Sequence, residues 1–175
     1  MPKIELLDGA MGSEFIKRGF DLHEHIWSAD MNIKHFSTVY DIHKEYIKAG
    51  ANYITTNTFR STPRSYINFG FSSQEATKRS KESLKQAVKA AKKASKNKVK
   101  VLASIAPLED CYSPDLFPGR SIAKKEYNQI ASWLINENID IFLIETMNSI
   151  KESEICIKEC IKHKKPIWVS FALKD

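Results

Sequence analysis

Three short polar segments could act on a small charged ligand. Asp8-Gly9 follows the apolar run at 4–7. Thr55-Thr56-Asn57-Thr58 follows Tyr53-Ile54, and Glu145-Thr146 follows the apolar run at 139–144. An acid directly after an apolar run is costly to ionise unless a cation or several donors meet it. Glu145, with Asp8 cooperating from the first run, therefore suits the ammonium group of an amino acid. Gly9 lets the backbone approach a ligand or adopt a positive φ. The four small polar residues at 55–58 offer several donors and acceptors. Each segment also has a plainer reading: an Asp-Gly turn, a turn satisfying its own backbone, and an acid serving a helix dipole or loop.

Other candidates carry less. His43 lies on an apolar helical stripe and reads as a core histidine. Cys156, Cys160 and His163 fall on one helix face, as part of a zinc site would, yet no fourth ligand is evident. Free cysteine otherwise behaves as a small core hydrophobe. Cys111, near Pro114, has no obvious His or Asp partner for nucleophilic work. Gly9-x-x-Gly12 is too short for a dinucleotide fingerprint, and no Walker-type loop occurs. No Ser-His-Asp arrangement is visible.

The elements that must position these residues alternate. Strand candidates at 4–7, 53–56, 99–105, 139–144 and 167–171 are nearly continuous in apolarity, as strands buried on both faces are. Between them run helical patterns: 35–48, with Gly50 as a C-terminal cap; a long helix from a Ser72/Glu75 capping box to about Lys93; a helix around Tyr127, Ile130, Ala131 and Leu134; and one opened by a Ser149/Glu152 box. Strand–helix alternation implies right-handed crossovers and a parallel sheet. Long loops at 20–32, 59–71 and 107–120 lie near the carboxyl ends of strands, where such folds bind ligands.

Length and composition narrow the class. The 175 residues, 42% hydrophobic and 10% aromatic, suit one globular domain with a core rather than disorder. No apolar stretch approaches a membrane span, so no membrane partner is expected. The first residues lack the zones of a signal peptide, and three cysteines argue against a disulfide framework, so a cytoplasmic setting is expected. Residues 75–100 hold ten Lys/Arg and two acids. Their +8 exceeds the chain's net +6, leaving −2 elsewhere. The segment has no aromatic to stack on bases, so it reads as a solvated helix face, and no nucleic-acid partner is expected.

Two architectures fit: a doubly wound open sheet, complete at this length, or a (β/α)₈ barrel of which the chain supplies five units. Ending just after the apolar run at 167–171 favours the truncated barrel, because an uncovered edge strand invites association.

Taken in order, the strand-end segments resemble the homocysteine S-methyltransferase family, which includes the homocysteine-binding domains of methionine synthases and betaine-dependent enzymes. The resemblance rests on Leu7-Asp8-Gly9-Ala10-Met11-Gly12, Arg18-Gly19, Trp27-Ser28-Ala29, and Val39-x-x-Ile42-His43-x-x-Tyr46 with Ala49-Gly50-Ala51-Asn52. It continues in Ile54-Thr55-Thr56-Asn57-Thr58-Phe59, Ala103-Ser104-Ile105-Ala106-Pro107, Ile144-Glu145-Thr146 and Pro166-Ile167-Trp168-Val169-Ser170-Phe171. It implies an α/β fold of the (β/α)₈ TIM-barrel type, truncated after about five βα units. Residues 1–175 would form the N-terminal part of a homocysteine-binding domain. It further implies transfer of a methyl group from a small donor to the homocysteine thiol, which zinc holds as a thiolate. Asp8, Gly9 and Glu145 would grip the amino-acid portion, with Thr56 and Asn57 lining the same mouth. The chain departs from the family at Ala103 and Ala106, where glycines are usual. The family's zinc cysteines lie on later strands, and Cys111, Cys156 and Cys160 match none of them. The expectation is therefore a chain without its metal site, inactive alone, able to associate through its last strand. The alternative is a non-catalytic, amino-acid-binding open α/β module.

Overall fold

The computed structural model describes residues 4–173; residues 1–3 and 174–175 of the expected domain lie outside it. In chain order the elements are α1 (Met11–Lys17), α2 (Met31–Lys34), α3 (Phe36–Lys48), β1 (Tyr53–Thr55), α4 (Pro63–Asn68), α5 (Ser73–Ser95), β2 (Lys100–Ile105), α6 (Arg120–Asn136), β3 (Ile141–Met147), α7 (Ile150–Cys160) and β4 (Ile167–Phe171). Short 3₁₀ turns occupy Pro114–Leu116 and Ile161–His163.

The four strands pair in parallel in the order β1-β2-β3-β4. A doubly wound sheet reverses its strand order at a switch point; this sheet does not. Right-handed crossovers between successive neighbours place the helices on one face. That face holds the main core: Ala103, Ile105, Phe142 and Ile144 of β2 and β3 pack against Leu84, Val88, Tyr127, Leu134, Ile155 and Cys156 of α5, α6 and α7. The opposite face carries Leu102, Ile141 and Leu143, with Tyr53 against them.

The expected first strand at 4–7 is corrected. Only Leu7 forms a bridge, parallel to Tyr53. The Leu6 carbonyl accepts from both Asn52 and Tyr53 N–H groups, and the Leu6 N–H donates to the Asn52 side chain. A side chain thus stands where a second ladder rung would be. Strand bounds shift as well: β1 ends at Thr55, β2 starts at Lys100, and β3 runs on through Glu145 to Met147. The loop expected at 59–71 contains α4, and α2 begins at the end of the loop expected at 20–32.

The capping expectations hold in part. Ser72 and Ser149 accept from the Glu75 and Glu152 N–H groups. Gly50, at φ +109, follows α3, and the Ala51 N–H donates to the Tyr46 carbonyl, so the cap is a Schellman turn. Glu152 does not complete its box. Its carboxylate, 2% exposed, accepts from the Leu108 N–H at 3.0 Å and the Tyr127 hydroxyl at 2.7 Å. It ties α7 to α6 and to the loop after β2. Glu152→Leu is expected to cost about 3 kcal/mol, since two buried donors lose their acceptor. Urea unfolding would show this as a lower midpoint at unchanged slope, and Glu152→Gln, which keeps an acceptor, would recover most of it.

Candidate functional site

The carboxyl ends of the strands form the rim of a cleft of about 640 Å³, and Asp8, Gly9, Thr56, Asn57 and Glu145 all line it. Asp8 is fixed from three directions. Its N–H donates to the Tyr53 carbonyl at 3.0 Å, and its carboxylate accepts from the Thr55 N–H and hydroxyl, each at 2.8 Å. Glu145 accepts from the Ser104 hydroxyl on the neighbouring strand.

A bulge aims Glu145. Between the pairs Ile144–Val169 and Met147–Phe171, β3 carries one residue more than β4. The extra residue is Thr146, left-handed at φ +58, whose N–H donates to the Ser170 hydroxyl at 3.3 Å. Strict alternation would turn Met147 to the cleft side with Leu143 and Glu145. The bulge resets the alternation: Met147 is fully buried in the helix-side core while Glu145 faces the cleft. A β-branched residue in this conformation costs on the order of 1–3 kcal/mol, strain of the kind found at functional sites.

Burial pushes the Asp8 carboxyl up to about 6; the Glu145 charge adds to this and the Thr55 hydrogen bonds oppose it. Burial also raises Glu145, against the Ser104 hydrogen bond. The Glu145 charge is thus close enough to resist the ionisation of Asp8. Glu24 and Asp110 line the cleft too, against one base, Arg60, whose guanidinium donates to the Glu109 carbonyl at 2.8 Å. The cleft is a site for positive charge.

Gly9 and Gly12 serve close approach. A Cβ at Gly9 would lie 2.8 Å from the Tyr46 hydroxyl, and one at Gly12 would lie 2.1 Å from Trp27 Nε1. The positive φ that Asp-Gly suggested is not used at Gly9. Thr56 and Asn57 stand in the wall with their polar atoms engaged. The Thr56 hydroxyl pairs with that of Thr58 at 2.8 Å and accepts from the Ser104 N–H. Asn57 accepts from the Ser28 hydroxyl and donates to the Ser28 carbonyl and to Asn32 Oδ1. Asn57 therefore fixes the loop that carries Trp27, itself left-handed at φ +44.

Sequence reasoning named neither Trp27 nor Ser104 as a site residue and set Cys111 aside for want of a partner, yet all three line the cleft. The quoted Trp27-Ser28-Ala29 and Ala103-Ser104 segments were the available signal for two of them. Burial raises the Cys111 thiol above its ordinary value. Cys156 and Cys160 are fully buried in the helix-side core. Among the described residues no three His, Cys, Asp or Glu side chains are grouped to hold a metal ion. His43 is fully buried on α3, as expected, but neither ring nitrogen has a partner.

A family model described as Homocysteine S-methyltransferase matches residues 5–175. Homocysteine S-methyltransferase YbgG of Bacillus subtilis is 24% identical over 186 residues, covering 97% of this chain and 59% of that protein. Homocysteine S-methyltransferase 1 of Arabidopsis thaliana is 25% identical over 191 residues, covering 97% and 58%. Among solved structures, the homocysteine methyltransferase MmuM of Escherichia coli in its metallated form has a TM-score of 0.85 at 26% identity, covering 98% of this chain and 64% of that one. Its oxidised form gives the same TM-score and identity, covering 63% of that chain. The chain therefore spans less than two thirds of the length of each of these relatives.

Proposed function

The chain belongs to the homocysteine S-methyltransferase family, and from that premise we propose that its cleft holds the amino-acid end of homocysteine while a methyl group is transferred to the sulfur. One observation carries this reading: two carboxylates with raised pKa line one acidic cleft at the strand ends. An ammonium group placed between Asp8 and Glu145 supplies the missing counter-charge and returns both acids to their ionised forms. Thr55 and Ser104 orient the two carboxylates, the Gly9 segment forms the adjoining backbone, and Thr56 and Asn57 brace the wall. In the reaction the thiol loses its proton, a sulfur electron pair forms the new S–CH₃ bond, and the bond from methyl to donor breaks with its pair on the donor.

Zinc, implied by the family resemblance, does not fit the described residues. Two cysteines are sealed in the core, and no metal-holding group is present among those residues. No step here runs through it. In this reading residues 1–175 are the N-terminal part of a (β/α)₈ barrel, in a cytoplasmic setting, with a small methyl donor. The metal ligands and part of the wall lie outside them, and β4 is the edge at which the wall continues or a partner associates. The chain by itself then binds homocysteine without making methionine.

Calorimetric titration with L-homocysteine tests this. Binding is expected at pH 8 and should weaken as pH falls through about 6, where Asp8 takes up its proton. Incubation with homocysteine and a methyl sulfonium donor should yield no methionine above a protein-free control. Absence of binding at pH 8 would sink the reading, and methionine formation would overturn the claim that the chain is inactive alone.

A further inference from the structure

We propose that the α3–α5 face, whose groove shares no residue with the cleft lining, is a docking surface for the phosphate backbone of single-stranded nucleic acid. The sequence leaves the basic segment as a solvated helix face, for want of an aromatic. The structure brings aromatic rings from another element, as supports for the lysines rather than as platforms for bases. Helices α3 and α5 pack together, and Phe36 and Tyr40 of α3 lie beneath the lysines of α5. Lys93 Nζ stands 4.8 Å from the Tyr40 ring centre and 5.8 Å from that of Phe36, and Lys89 stands 5.8 Å from Phe36. The cations are held over these rings, so less side-chain freedom remains to be lost on binding.

The row continues in both directions. Lys81, Lys85, Lys89 and Lys93 recur every four residues on the exposed side of α5, a spacing of about 6 Å along the axis. At its C-terminal end the row meets a shallow groove of about 240 Å³ between α3 and α5. Lys44, Lys48, Lys96 and Lys98 line this groove, and no acid does. Neutralisation within the face is slight. Lys44 reaches Asp41 only at 4.0 Å, and Glu82 accepts from Gln86 rather than from a lysine. Like charges four residues apart destabilise a helix, so the uncompensated row is a local cost that an anionic partner removes.

The occupant follows from charge and from the lack of greasy anchors. None of the exposed large hydrophobic side chains among the described residues lies on α3 or α5. A peripheral membrane helix uses such side chains to enter the interface. A linear row of cations with no apolar anchor matches a linear polyphosphate better than a lipid surface.

The test is fluorescence anisotropy with a labelled single-stranded RNA of mixed sequence. Binding at 50 mM salt is expected, weakening roughly 50-fold by 200 mM if about four phosphates are engaged. The Lys89→Glu/Lys93→Glu/Lys96→Glu variant should bind at least tenfold more weakly. A Lys124→Glu/Lys125→Glu control on α6 should bind as the parent does, and thermal melts should confirm that both variants are folded. No binding at 50 mM salt would overturn the proposal. So would equal loss in the control, or tighter binding to phosphatidylserine vesicles than to RNA at the same salt.

Discussion

Replacing Glu145 by Gln should weaken homocysteine binding at least 100-fold and, in the same protein, raise the melting temperature at pH 8. The two effects have one cause. Burial raises the Glu145 carboxyl above its ordinary value, so its ionised form is disfavoured in the folded chain when no cation is bound. For an acid raised in this way, wild-type stability is fully present below the unfolded pKa and is lost as pH climbs through the folded one. Gln does not titrate. The variant's advantage should therefore be visible at pH 8 and absent at pH 4, where wild-type Glu145 is protonated. Binding responds in the opposite sense, because an ammonium group left with a neutral amide loses a charged partner in a partly desolvated place, a loss of about 3 kcal/mol or more. Titration calorimetry at pH 8 and melts at pH 4 and pH 8 measure both. Unchanged affinity would mean that the Glu145 carboxylate does not touch the ligand.

The second large effect concerns acid stability, far from any ligand. Burial depresses His43 to about 4. An unfolded histidine takes its proton near 6.5, so between these values the unfolded chain binds a proton that the folded chain refuses. The stability held above pH 6.5 is then lost as pH falls through 4, by about 3 kcal/mol. His43→Leu removes the titration and also removes two buried nitrogens without partners. Its stability relative to wild type should be greater at pH 8 already, and the gap should widen by about 3 kcal/mol at pH 4. Asp8 and Glu145 titrate in both proteins and cancel in the difference. A gap that stays constant with pH, measured by urea unfolding, would place a partner on the imidazole after all.

What could be read from the sequence follows from how local each cause is. The apolar strand runs, the Ser72 and Ser149 caps and the Gly50 turn each depend on a few adjacent residues, and they were legible. The short helices were not. α1 and α2 have no side-chain cap, and α1 includes Gly12 and Ser13. α4 did carry a signal, Thr62 capping a helix with Pro63 in its first turn, inside a stretch expected to be loop. At the site, the position of Asp8 and Glu145 on the cleft was legible, because each directly follows an apolar run and so falls at the end of its segment. The bulge at Thr146 was not, since a threonine argues locally against the left-handed conformation it adopts. Thr56 and Asn57 were legible as wall residues. Their bonding to one another's neighbours, to Ser28, Asn32, Thr58 and Ser104, depends on chain segments up to 48 residues apart.

On the concave side, Tyr53 of β1 meets Trp168 of β4, with ring centres 4.8 Å apart. Three strand spacings in a flat sheet would put those positions about 14 Å apart, so the contact records how far the sheet has rolled. Each ring stands two positions before a residue that bonds near the rim: Thr55, which donates to Asp8, and Ser170, which accepts from the Thr146 N–H. Trp168 itself stays 37% exposed, so on the β4 side the curve of the sheet is still open to water.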